Sequence, residues 1–138
     1  MERTLTILKP DTVGSGNSGK IIGHLEAEGF ELVALRKMRL SQAQAQAFYE
    51  VHRERPFYES LVSFMTEGPV VAIALQRENA VKALRDVMGA TNPEEAAAGT
   101  VRALYASSIE RNAIHGSDSP ENAALELAFF FSRADLIG

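Results

Sequence analysis

The chain has 138 residues, 46% of them hydrophobic, enough for one domain with a buried core and no covalent staples. It has no cysteine, which excludes a disulfide framework, a thiolate metal site and a thiol nucleophile. A balance of 14 Lys and Arg against 18 Asp and Glu gives a net charge of −4, which argues against a general nucleic-acid surface but not against a small anion held by a local cationic cluster. No apolar run approaches the ~18 residues of a membrane span. Lys9-Pro10-Asp11 cuts off the N-terminal apolar run before it could form a signal-peptide core. The expectation is a soluble, cytoplasmic protein with one domain over residues 1–138.

In chain order, Arg3 to Leu8 reads as a first strand ended by Lys9-Pro10-Asp11. Ser18 caps a helix from about Lys20 to Glu28, with Gly29 as its stop. Phe30 to Leu40 alternates as a long strand, with Leu32, Ala34 and Met38 on one face and Val33 and Leu35 on the other. Ser41 caps a second helix, SQAQAQAFYEVH, and Arg55-Pro56 separates it from another running from Phe57 to Glu67. Val70 to Leu75 is a continuous apolar run, the mark of a central strand buried on both faces. An amphipathic helix from Glu78 to Met88 leads to a loop, GATNPEEAAAGT, with one turn of helix after Pro93. Asn112 to His115 is a short fourth strand, and Ser119-Pro120-Glu121 starts a helix reaching about Phe131. Without the helical insertion the order is βαββαβ. The expected fold is therefore α/β in the α+β sense: a ferredoxin-like sandwich with a four-stranded antiparallel sheet and added helices.

Two stretches invite a chemical reading. Gly14 to Lys20, GSGNSGK, fits G-x-G-x-x-G and nearly fits the P-loop. The P-loop needs a Mg²⁺-binding hydroxyl after the lysine, and Ile21 has none. The dinucleotide reading fails because KPDTV separates the strand from Gly14, and because the second strand ends in Arg36-Lys37-Met38-Arg39 where an acid should bind ribose. The segment reads as a polar surface turn before a helix.

The second stretch runs from Asn112 to Ser119, NAIHGSDS. A lone histidine near a turn is most often a surface residue. Here His115 ends a strand, Gly116 allows close approach, and the following helix brings Glu126 within reach. A histidine is mostly neutral at pH 7, so its ring nitrogen serves as a nucleophile or acid/base. His24, His52 and His115 have no metal-ligand spacing. Lys9, Arg55, Arg85 and Arg102 fall at element ends; singly they are solvated charges, but gathered near His115 they would clamp an anion as phosphoryl transfer requires.

Together these segments resemble the nucleoside diphosphate kinases. The likeness is carried in order by Lys9-Pro10-Asp11, FYEVH (48–52), RPFYESLVSFM (55–65), GPVVAIAL (68–75), GATNPEEA (89–96), GTVRA (99–103) and Asn112-x-x-His115-Gly116-Ser117-Asp118. The resemblance implies a ping-pong kinase that passes the γ-phosphate of a nucleoside triphosphate to a nucleoside diphosphate through a phosphohistidine on His115. It implies that Lys9 and Tyr49 surround the transferred phosphate, that His52, Arg85, Thr91 and Arg102 hold the others, and that Lys9 and Asn112 meet the ribose. Phe57 would stack on the base, Leu61 would line the pocket, and Glu126 and Ser119 would orient His115. Mg²⁺ would arrive on the nucleotide phosphates without a protein ligand cage. The implied assembly is a homo-oligomer, a tetramer or hexamer built from a dimer. The sequence departs from the family habit at Leu104, where an acid is usual, at Gln76-Arg77-Glu78-Asn79 and in the glycine loop. The alternative is a catalytically silent ferredoxin-like module that binds nucleotides or regulates.

Overall fold

The structure is a computed structural model that describes residues 1–136; the last two residues of the expected domain lie outside it. Strand β1 (Glu2–Leu8) is buried from Thr4 onward, and β3 (Val70–Arg77) is buried from Val70 to Leu75. They pair antiparallel, with Leu5 opposite Ala74. Strand β2 (Glu31–Met38) flanks β3 and β4 (Ile114–Gly116) flanks β1, giving a four-stranded antiparallel sheet in the order β2-β3-β1-β4. This is the ferredoxin-like arrangement expected from the element order.

Alternation along the two central strands divides the core between the two faces. On one face Leu5, Ile7, Val70, Ala72 and Ala74 meet helices α3 (Gln42–Phe48), α4 (Tyr58–Met65) and α7 (Pro120–Phe130). On the other, Val71, Ile73 and Leu75 meet α2 (Ser18–Ala27) and α5 (Ala80–Met88) through Ile21, Leu25, Leu84 and Met88. Each such fully buried aliphatic side chain contributes about 1.5–3 kcal/mol relative to exposure. Among the described residues no helix is long and apolar enough to cross a membrane.

Where α5 crosses β4 the packing leaves no room for a side chain. A Cβ at Gly116 would lie 2.5 Å from Met88 Sδ and 3.0 Å from Leu84 Cδ2, both in the fully buried core. Gly116→Ala is therefore expected to cost about 1–3 kcal/mol by overpacking, read as a lower melting temperature.

Several sequence expectations need correction. Lys9-Pro10-Asp11 does more than end β1: Pro10 starts a short helix that was not foreseen, α1 (Pro10–Gly14), in the N1 position that proline favours. Helix α2 starts at Ser18, with Asn17 in the cap position and no side-chain cap bond. A helix not foreseen, α6 (Val101–Tyr105), is capped by Thr100, whose Oγ1 accepts from Ala103 N. A bulge between Leu32 and Ala34 breaks the alternation of β2. Leu32 joins the α2/α5 side, Val33 packs with Ala34 and Met38 on the opposite side, and Leu35 stays exposed. The fourth strand begins at Ile114, two residues later than expected. Ser41 does cap α3, in a reciprocal box with Gln44, and a 3-10 turn, Glu50–His52, follows.

Candidate active site

His115 lies in the middle of β4, opposite Ile7 of β1, and its carbonyl accepts from Thr6 Oγ1 at 2.7 Å. Its Nε2 is 2.8 Å from Glu126 Oε1 on α7, and the same oxygen accepts from Ser117 Oγ at 2.7 Å. An ionised carboxylate only accepts, so this network assigns the proton to Nε2 and leaves the lone pair on Nδ1. Phe48 and Tyr49 stand edge-on to the imidazole, with ring centroids 5.5 and 6.4 Å away. The ring is thus fixed on one side by a hydrogen bond and on the others by packing.

Lys9 follows β1 directly and is buried, with Nζ donating to Asn112 Oδ1 at 2.8 Å. Burial, and then the charge of Arg102, pull the ammonium down from 10.5 to about 8, with Asp11 opposing. Arg102 is buried as well. It donates to the carbonyls of Asn112, Gly89 and Ile114 at 3.3, 3.1 and 2.8 Å. Burial, and then Arg85, bring its guanidinium down to about 10, so it stays charged at neutral pH. Arg85, in the last turn of α5, donates to Gly116 O at 3.3 Å. Among the described residues the buried Tyr49 hydroxyl has no hydrogen-bond partner; burial, and then Glu126, raise its pKa, so it remains a phenol.

A cavity of about 590 Å³ opens over His115. Lys9, Arg85, His52 and Thr91 give it a cationic and polar side, and Tyr49, Phe57 and Leu61 give it an apolar one. Phe57 stands half exposed at the mouth, its ring 5.3 Å from that of His52. A chamber with a buried cation, an oriented imidazole and an aromatic platform fits a ligand with a phosphate end and a planar end.

The family model described as nucleoside diphosphate kinase matches residues 2–136. The chain belongs to the nucleoside diphosphate kinase family. Its relatives include nucleoside diphosphate kinases of Sulfurimonas denitrificans, 57% identical over 99% of each chain, and of Persephonella marina, 53% identical over 99% of this chain and 98% of the relative. Among solved structures, the Aquifex aeolicus nucleoside diphosphate kinase superposes with a TM-score of 0.97 at 46% identity, covering 99% of both chains. The Halobacterium salinarum enzyme, solved in complex with CDP, gives 0.95 at 38% identity over 99% of this chain and 91% of that one. The protein is thus an enzyme, a nucleotide-binding phosphotransferase that acts on nucleoside diphosphates.

Of the residues expected at this kinase site, Asn112, Arg102 and Ser119 do not line the cavity. Asn112 and Arg102 sit behind its wall, joined to Lys9 and to backbone carbonyls. Ser119 does not reach His115: its Oγ caps α7 by accepting from Asn122 N, and the hydroxyl that holds Glu126 belongs to Ser117. A signal for Ser117 was present, since residues i and i+2 of an extended strand share a face. Asp118, Asn122, Leu125 and Phe129 also line the cavity and were not foreseen.

None of residues 14–20 line the cavity, and Lys20 is exposed. Gly16, with φ 74°, makes the turn between α1 and α2. Lys20→Ala is expected to keep nucleotide transfer within a few-fold in a coupled assay. A loss of about 10³, the size of a missing transition-state clamp, would reinstate a phosphate cradle there.

Proposed function

We propose that this kinase transfers the γ-phosphate of a nucleoside triphosphate to a nucleoside diphosphate in two half-reactions through His115. The observation that carries the reading is the His115 Nε2–Glu126 bond of 2.8 Å, which leaves Nδ1 as nucleophile in a cavity walled by Lys9 and Arg85. Nδ1 attacks the γ-phosphorus; the N–P bond forms as the bond to the β-bridging oxygen breaks, and the diphosphate leaves with that electron pair. A second diphosphate attacks the phosphorus through its terminal oxygen, and the imidazole is restored. While Nδ1 carries phosphate the ring is cationic, and Glu126 stabilises it through the proton that stays on Nε2.

Lys9, His52, Arg85 and Thr91 receive the phosphate chain, and charge built up on equatorial oxygens is met by the two cations. Arg102 acts from behind, holding the carbonyls around Asn112, while Asn112 aims the Lys9 ammonium toward phosphate and ribose. Tyr49 walls the reacting phosphate. Phe57 stacks on the base beside Leu61; stacking reads a π-face and no base edge, which suits broad base specificity.

Mg²⁺ fits this site as a passenger on the nucleotide. Glu126 is already engaged by His115 and Ser117, which leaves the Asp118 carboxylate in the wall, and Mg²⁺ binds through one or two carboxylates together with substrate phosphates. Bound there, it would neutralise phosphate charge; Asp118 would hold it through its hydration shell. Strand β2 lies at the sheet edge with Leu35, Arg36 and Lys37 exposed, a ladder open to a second copy. This supports a homodimer, which we place as the unit of a tetramer or hexamer in the cytoplasm on the family resemblance alone. A silent nucleotide-binding module is not favoured, because such a module needs no buried cation beside an oriented nucleophile.

The test uses γ-labelled ATP. The protein should take up label that is lost in acid and kept in alkali, as expected of a phosphorus–nitrogen bond, and His115→Ala should take up none. Equal labelling of both proteins, or of neither, sinks the reading.

A further inference from the structure

Between Asn112 and Ile114 the chain makes a turn that it does not favour. Ala113 has φ 73° and is fully buried, and Ile114 N donates to Asn112 O at 2.8 Å. An i to i+2 bond around a positive φ is the rarer, strained form of γ-turn, and a side-chain-bearing residue adopts it only when its surroundings enforce it. Arg102 holds the flanking carbonyls of Asn112 and Ile114, and Ala113 itself is held by Lys9 and by the first turn of α1. Ala113 N donates to Asp11 Oδ2 at 3.0 Å, while Ala113 O accepts from Lys9 N at 3.0 Å and from Thr12 Oγ1 at 2.9 Å. The other carboxylate oxygen, Asp11 Oδ1, is buried without a hydrogen-bond partner among the described residues, so the bond to Ala113 is the directional contact of this carboxylate, which also feels the charges of Lys9 and Arg111.

The turn joins the two groups that the chemistry must align. On one side, the Asn112 side chain accepts from Lys9 Nζ; on the other, His115 follows two residues after Ala113. If the turn relaxed, the ammonium and the imidazole would move relative to each other. Misplacements of about 1 Å at a reacting centre cost on the order of 10² in rate.

We propose that Asp11 and Thr12 are positioning residues, holding the strained turn at Ala113 and through it setting Lys9 and His115 at their working separation. This rests on His115 being the nucleophile. Asp11 also lies close enough to Lys9 to favour its charge, a separate role that the test must distinguish.

The experiment measures phosphoenzyme formation at saturating labelled ATP in single turnovers. Asp11→Ala should slow it by about 10², with the ATP concentration for half-maximal rate changed by no more than a few-fold. Ala113→Gly placed in the Asp11→Ala protein should restore most of that rate, because glycine enters positive φ without the clamp. Asp11→Asn keeps an acceptor for Ala113 N and should stay near wild type. A wild-type rate in Asp11→Ala overturns the proposal. So does a loss that Ala113→Gly leaves untouched, or one that Asp11→Asn shares together with a shifted pH profile, since these mark a charge effect on Lys9. If Asp11→Ala does not fold, Thr12→Val with and without Ala113→Gly gives the same comparison, and a loss without recovery again overturns it. Wild-type protein that takes no label at all would instead refute His115 as nucleophile.

Discussion

His115→Ala should lower phosphate transfer by at least about 10⁴-fold while nucleotide binding changes little, the pattern of a lost nucleophile rather than a lost binding contact. Among the described residues, no other group in the cavity wall is an imidazole held by a carboxylate. The chain has no cysteine. His52 lies in the 3-10 turn after α3, packed against Phe57, and has no carboxylate partner of the kind Glu126 gives His115. Ser117 is fully buried outside the cavity lining, with its hydroxyl bonded to Glu126, so no substrate phosphate reaches it. The fold should survive, because the imidazole is partly exposed and Glu126 keeps its bond from Ser117. A coupled transfer assay and a direct ADP titration check the two halves of this expectation. Transfer above about 10⁻³ of the wild-type rate would mean that phosphate passes between two bound nucleotides without a covalent enzyme, contrary to nucleophilic catalysis.

What the sequence made legible here was whatever a local pattern encodes. The run from Val70 to Leu75 is buried on both faces because both layers of helices pack on it, and an unbroken apolar string is the trace of that burial. Ser41 with Gln44, and Ser119 with Pro120, are cap chemistry written in short range. Helices α1 and α6, of 5 residues each, are too short for a periodic apolar stripe, and only a proline or a threonine marks their starts. The bulge in β2 is one extra residue, and it moved Val33 to the other face without any turn signal in the letters. At the site, the nucleophile, its cations and Glu126 beside His115 were readable, whereas Ser117 and the partners of the cations were not. Whether Ser117 or Ser119 holds Glu126 depends on where β4 ends and α7 begins. That Lys9 is buried against Asn112 follows from strands meeting across 103 residues of chain, and that Arg102 binds three carbonyls follows from how the chain on both sides of α6 folds back on it.

Lys9 should make both activity and stability depend on pH, in opposite directions. With the ammonium at about 8 in the free enzyme, the charge that phosphate needs is lost as pH rises through that value. The kcat/KM for nucleotide is therefore expected to be level between pH 7 and 8 and to fall about tenfold per unit above pH 8. Kcat should hold to higher pH, because bound phosphate favours the charged amine. Lys9→Met should lose about 10³ in kcat/KM at pH 7 and should flatten the alkaline fall. Stability follows the other sign. The folded pKa of Lys9 lies below its unfolded value of 10.5, so between about pH 8 and 10.5 the unfolded chain binds a proton that the native state has released. Stability then rises with pH across that window, by up to about 3 kcal/mol at 1.36 kcal/mol per unit. Above pH 10 two groups oppose each other: Tyr49, whose pKa is raised in the fold, lowers stability because the unfolded chain ionises first, while Arg102, brought down to about 10, raises it. Urea melts between pH 7 and 10 should therefore show stability rising with pH, and Lys9→Met should lack that rise. A wild-type rise that survives in Lys9→Met would assign the titration to another group and remove Lys9 as the buried cation of the site.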